Sequence, residues 1–156
     1  MTTFSREYSS VPLFGVGAVI VHDSKIALVR RANEPSRGQW SIPGGLVNLG
    51  EALLDAVKRE ALEETQLVVQ PVFLVELLDR VFYDQSGLVQ YHYVLADYWC
   101  EVADGSISAG SDASEAVWVS LEDLSKFNLA DITLEVIKKG LELRRDDSIL
   151  KHRIGL

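Results

Sequence analysis

Cysteine is almost absent from this chain. Cys100 is the only one in 156 residues, so no internal disulfide can form, and a reducing compartment, the cytoplasm, is the expected setting. No run approaches the roughly eighteen apolar residues of a membrane span, and the start, "MTTFSREYSS", has no apolar core of a signal peptide. Basic residues are outnumbered, 15 Lys and Arg against 23 Asp and Glu, giving a net charge of −8. That balance argues against a nucleic-acid backbone or an anionic membrane as the main partner. A small anionic substrate would then need local help, from basic side chains or from metal ions. Repeats, low-complexity tracts and long linkers are also missing, and residues 1–156 are expected to form one domain. What is present, 47% hydrophobic and 24% charged residues, is the composition of a globular protein.

The pattern of elements is mixed. "LFGVGAVIV" and "IALVRR", joined by "HDSK", read as two paired strands. A polar loop, "ANEPSRGQ", and a short "WSIP" lead to a double glycine that reads as a turn. An amphipathic helix follows within "GGLVNLGEALLDAVKREALEETQL". Two long strand-like runs come next, "VVQPVFLVELLDRVFY" and "LVQYHYVLADYWC", with "DQSG" as their turn. The loop "EVADGSISAGSDASE" precedes a short strand "AVWVS", a helical turn at "LEDL", and a closing helix "DITLEVIKKGLELRR". Strands interleaved with two main helices suggest an α/β fold, a mixed sheet with helices packed on its faces.

The first helix carries its acids in an unusual place. With Glu60 at zero and about 100° per residue, Glu63 falls near about 300° and Glu64 near about 40°. Leu53, Ala56, Val57 and Ala61 lie on the same arc, whereas Asp55, Lys58 and Arg59 lie opposite. A surface helix would put its glutamates with the second group. Carboxylates crowded on an inward face repel one another and resist desolvation unless a cation sits among them. Hard oxygen ligands select hard divalent ions, Mg²⁺ first and Mn²⁺ second. The spacing of Glu60, Glu63 and Glu64 lets all three reach one point, and Arg59 stands one turn before Glu63. The competing reading is a solvated helix laced with Glu–Arg and Glu–Lys pairs.

The stretch resembles the Nudix box, whose pattern is Gly, five residues, Glu, seven residues, Arg-Glu, an aliphatic, any residue, Glu-Glu, any residue, Gly, an aliphatic. The matching positions are Gly45, Glu51, Arg59, Glu60, Ala61, Glu63, Glu64, Gln66 and Leu67, with every charged position in register. Ala61 is smaller than the usual aliphatic, and Gln66 replaces the glycine that ends the helix in a left-handed conformation, at a cost of about 1 kcal/mol unless the helix ends differently. "RRANEPSRGQWSIPGG" and "SDASEAVWVSLEDL" extend the resemblance over roughly residues 13–127.

The resemblance implies an α/β/α sandwich with a mixed sheet, and a hydrolase of nucleoside diphosphates linked to another group. Carried over by position, it implies Mg²⁺ (or Mn²⁺) on Glu60, Glu63 and Glu64 with the carbonyl of Gly44, Glu51 supporting the loop–helix junction, and Arg59 orienting a glutamate. The general base is left open among Glu63, Glu64, Asp112 and Glu115. Arg30, Arg31 and Arg37 are candidate phosphate contacts, at most one of which is expected to serve. Trp40, Phe82, Tyr83 and Tyr91 are candidates for stacking on a base, against the commoner role of strand aromatics in a core. His92 is expected to be a strand residue and Cys100 a buried small hydrophobe.

"YHYVLADY" and "GSDASEAVWV" look most like the small ADP-ribose pyrophosphatases, which implies ADP-ribose or a related nucleotide sugar as substrate. Tyr83 lies at a spacing from the box associated with dinucleoside polyphosphate hydrolases, so these and nucleoside triphosphates are the alternatives. Some family members are non-catalytic nucleotide sensors, usually fused to a DNA-binding domain; an acidic chain with no room for one after residue 127 and with all box acids kept argues against that class. A homodimer is possible on family grounds.

Overall fold

The computed structural model describes residues 4–110 and 113–146. Its organising element is β1 (Leu13–His22), whose alternating side chains serve two different cores. Val16, Ala18 and Ile20 pack with Ala56, Val57 and Ala61 of helix α1 (Leu53–Thr65), while Val19 packs with Val136 and Ile137 of helix α2 (Asp131–Arg145). The two helices therefore cover opposite faces of the sheet. This is the expected α/β arrangement, helices flanking a mixed sheet.

The sheet has seven strands. β2 (Lys25–Arg31), β3 (Trp40–Ser41), β4 (Gly44–Leu46), β5 (Val68–Tyr83), β6 (Val89–Asp104) and β7 (Ala113–Ser120) complete it, and a 3-10 helix at Leu121–Phe127 precedes α2. The order is β3-β2-β1-β6-β5, with β4 also on β1 and β7 also on β2. β1 and β6 run parallel from Leu13 opposite Tyr93 to Ile20 opposite Cys100, and the other pairs are antiparallel. Buried Cys100 is a small apolar filler on the α1 side, and burial pushes its thiol up to about 12.

Two expectations need correction. The double glycine is not a turn: Gly44 and Gly45 are strand residues, opposite Gly17 and Val16 of β1. β1 and β2 pair as expected, antiparallel at Val21–Ile26 and His22–Lys25, while β1 finds its long partner in β6 and β2 in β7. The loop assigned to 101–115 is shorter, since β6 runs on to Asp104 and β7 starts at Ala113. Local sequence shows which segments are extended, but the partner of each is set by which apolar face it must bury.

The end of α1 answers the question that Gln66 raises. Gln66 adopts the left-handed conformation itself, φ 62°, and its N–H reaches the Leu62 carbonyl. No basic residue stands in the last turn; two further carbonyls are met by a loop, with Ser108 N–H on Thr65 O at 3.0 Å and Gly110 N–H on Glu64 O at 3.1 Å.

Candidate functional site

The site is built where β4 meets α1. Glu60 and Glu64, a turn apart, are 8% and 9% exposed although both are charged residues, whereas Glu63 is only half-buried. The inward arc read from the helical wheel thus belongs most fully to Glu60 and Glu64. Gly45 lies directly over Glu60: a Cβ there would sit 2.4 Å from the carboxyl carbon. The backbone N–H of Gly44 donates to Glu64 Oε2 at 3.0 Å. The double glycine therefore lets a strand edge approach two buried carboxylates closer than any side chain would permit.

Arg59 ties the site together. Its Nε and Nη2 donate to the two oxygens of Glu51 at 2.7 and 2.8 Å, a forked pair. Nη2 also donates to the Leu46 carbonyl at 2.9 Å, and Nη1 donates to Glu60 Oε1 at 2.7 Å and Glu63 Oε2 at 3.2 Å. Glu51 in turn accepts from Asn48 N–H at 3.1 Å, so strand β4, the loop after it and helix α1 share one hub. Bonding to Arg59, with help from Asn48, holds the Glu51 carboxyl down at about 2, and the same Glu51 bond raises Arg59 above the usual guanidinium range.

Among the described residues no three carboxylate, imidazole or thiolate groups converge as a ready metal cage. The position between Glu60 and Glu63 is held by Arg59 Nη1, and Glu64 is turned to Gly44. The donor set nevertheless fits a hard divalent ion: only carboxylate oxygens, largely buried, on one helix stripe beside a strand edge cleared of side chains.

Glu60 and Glu64 open into a cleft of about 220 Å³. Arg30, Arg31, Trp40 and Phe82 line it, and Arg37, Tyr83 and Tyr91 do not. Arg37 is exposed, and Tyr83 is 65% exposed near the tip of the β5–β6 hairpin. Arg30 is engaged, with Nε on Gly38 O at 3.0 Å and Nη1 on Glu115 at 2.9 Å, so Glu115 is an ion-pair partner on β7. Arg31 donates Nε to Pro35 O at 2.8 Å. Trp40 stands edge-on to Phe127 at 5.2 Å, and His92 lies 3.9 Å from Asp79. Asp112 lies outside the described residues.

The floor of the cleft went unseen in the sequence. β6 points Tyr93, Leu95 and Asp97 to the face that carries Gly15 and Gly17 on β1, its partner strand. A Cβ at Gly17 would fall 2.1 Å from Asp97 Oδ1, so the glycine makes the room that the carboxyl occupies. Asp97 is 6% exposed; burial, reinforced by Glu76 and opposed by Arg80, pushes its carboxyl up to about 7. Arg80, opposite Tyr93, lies over the Phe82 ring at 5.1 Å, and burial lowers it from the usual guanidinium value. The available signal was an aspartate within an otherwise apolar and aromatic strand, facing the "GVG" of a neighbour.

Comparison with known proteins agrees with this geometry. The NUDIX domain model matches residues 12–139. An ADP-ribose pyrophosphatase of Methanocaldococcus jannaschii is 35% identical over 115 residues, 74% of this chain and 66% of that protein, so the chain spans just under two thirds of that relative. The structure of a MutT NUDIX hydrolase from Burkholderia pseudomallei is similar with a TM-score of 0.72, at 28% identity over 83% of this chain and 98% of the other. The NUDIX domain of Shewanella oneidensis NrtR, solved in complex with ADP ribose, is similar with a TM-score of 0.69, at 26% identity over 86% and 89% of the two chains. With the box residues gathered around Arg59 and the family model spanning most of its length, this chain belongs to the Nudix family of hydrolases.

Proposed function

We propose that this protein hydrolyses the pyrophosphate bond of a nucleoside diphosphate linked to a sugar, with ADP-ribose as the leading substrate and Mg²⁺ as the metal. The observation that carries the reading is a single cleft joining Glu60 and Glu64 to arginine-bearing walls. The names of two similar proteins, an ADP-ribose pyrophosphatase and a domain in complex with ADP ribose, support the substrate.

Nudix hydrolases generally use divalent metals. In this reading Glu60, Glu63 and Glu64, with the Gly44 carbonyl, hold the metal, and Arg59 fixes Glu60 and Glu63 by hydrogen bonds while Glu51 fixes Arg59. A divalent ion bound there, Mg²⁺ or in its place Mn²⁺, would neutralise the diphosphate and acidify the attacking water. The chain's own part is to place that diphosphate, to exclude bulk water and to take the proton. Arg31, whose Nε alone is hydrogen-bonded among the described residues, presents the rest of its guanidinium for phosphate. The proton goes to Glu63 or Glu64, or to Asp112; Glu115 is the weaker candidate because Arg30 already holds it. The reading takes the compartment to be the cytoplasm, where nucleotides meet a reduced Cys100. It allows a homodimer through outward apolar residues of β5 such as Leu77, 55% exposed.

The test is product analysis with Mg²⁺ on a panel of ADP-ribose, other nucleotide sugars, nucleoside triphosphates and diadenosine polyphosphates. ADP-ribose should be cleaved best, to AMP and ribose 5-phosphate, and a chelator should abolish turnover until Mg²⁺ is restored. A triphosphate or dinucleotide as the best substrate would overturn the substrate, and no turnover of any compound would overturn the enzyme reading.

A further inference from the structure

Four arginines line the cleft, and their charges are answered unequally. Arg30 is held by Glu115, and Arg80 feels the charge of Asp97. Arg6 and Arg31 form no ion pair among the described residues, although the chain carries 23 acidic residues against 15 basic ones. Both stand near one hydroxyl, that of Tyr93, whose oxygen is buried without a hydrogen bond of good geometry. Burial raises this hydroxyl above its ordinary value, and the charges of Arg6 and then Arg31 oppose the rise.

Arg6 reaches the cleft from outside the sheet. Residues 4–12 precede β1 as a strap without strand or helix, tied to the β5–β6 hairpin. Tyr8 N–H donates to Gln90 O at 2.8 Å, the Tyr8 hydroxyl donates to Asp84 Oδ2 at 2.8 Å, and Gln90 Nε2 donates to Glu7 Oε1 at 2.6 Å. Asp84 is itself fixed at the hairpin corner, because its Oδ1 accepts from Ser86 and Leu88 N–H. Tyr8 holds φ 53°, a left-handed conformation that bulky residues avoid and that persists only where the surroundings impose it. The strap thus turns sharply at Tyr8, sending its base to the cleft and its neighbouring acid, Glu7, to the hairpin.

Two guanidinium groups beside one hydroxyl, with no carboxylate between them, make an anion site. A phosphate suits it best, since its several oxygens can accept from both arginines and from the hydroxyl at once. We propose that the strap is part of the substrate site: Arg6 and Arg31, with the Tyr93 hydroxyl, clamp one phosphate of the diphosphate, and the Tyr8–Asp84 bond positions Arg6 for it. This rests on the hydrolytic reading above. It adds to that reading a binding residue from outside the box, Arg6, and a positioning residue, Tyr8, that touches no substrate.

The test is kinetics with Mg²⁺ on the compound of the panel that the wild type cleaves best, ADP-ribose in the reading above. Arg6→Gln should raise KM by about tenfold or more and change kcat far less. Arg6→Lys should recover part of the loss, and both variants should melt within about 2 °C of wild type, because Arg6 is exposed. Tyr8→Phe, which removes only the hydroxyl, should raise KM by about threefold. Arg6→Gln combined with Tyr8→Phe should be no worse than Arg6→Gln alone, because Tyr8 acts through Arg6. An unchanged KM in Arg6→Gln would overturn the clamp, and losses that multiply in the double variant would overturn the positioning role of Tyr8. If the wild type cleaves no compound of the panel, the hydrolytic reading itself fails and takes the clamp with it.

Discussion

The two ends of the cleft are built on opposite principles. At the box end each charge has a protein partner: Arg59 makes five hydrogen bonds, Glu51 receives three, and Glu64 is held by Gly44. At the β5–β6 end Asp97, Tyr93 and Arg80 are buried or half-buried with hardly any bonds between them. The first arrangement is preorganised, its carboxylates aimed before anything binds. The second stores a desolvation cost. Removing a group should therefore act differently at the two ends: through reaction rate and folding at the first, through pH dependence at the second.

The largest effect is expected from Glu63→Gln, which keeps size and removes a charge. Turnover of the best substrate should fall by about 10²–10⁴, with the circular dichroism spectrum unchanged. Full activity in this variant would remove Glu63 from the reaction and undo the contrast.

Next comes the pH dependence of Asp97. Its ordinary value of 3.8 applies to the unfolded chain, and in the folded protein burial and Glu76 push it up to about 7. Between these values the folded state binds the extra proton, so stability falls as pH rises and the penalty is complete above about 7. Urea unfolding at pH 4 and pH 8 should show Asp97→Asn narrowing the wild-type difference by an amount on the order of a few kcal/mol. A variant whose pH dependence matched wild type would show that Asp97 is not held neutral.

Arg59→Ala should destabilise by about 2 kcal/mol or more, lowering Tm by roughly 5 °C, because it strands Glu51 and leaves Glu60 and Glu63 without their shared cation. A mutation of equal size at exposed Arg37 should do almost nothing. The smallest effect is Gln66→Gly, which should stabilise by about 0.5–1 kcal/mol in thermal melts, since Gln66 already holds φ 62°. Destabilisation there would mean that the side chain contributes more than the backbone costs.

The legibility of the fold follows the range of the interactions. β5 at Val68–Tyr83 and α2 at Asp131–Arg145 were read with their observed bounds, because period, turn residues and chain order are local signals. β4 was missed, since a three-residue strand led by two glycines carries no propensity of its own and exists only because β1 pairs with it. Similarly, the acids of α1 were visible as a stripe, whereas their bonding through one guanidinium was not.

By itself the sequence determined the chemistry available: a helix that turns Glu60 and Glu64 inward, an arginine beside them, and glycines where the backbone must come close. Periodicity and composition suffice for this because they act within a few residues. Only the tertiary structure decided that Asp97, Arg80 and Tyr93, read as parts of ordinary strands, become the floor of the same cleft. The parallel pairing of β1 with β6 sets Gly17 opposite Asp97, and no local pattern encodes which strand lies next to which.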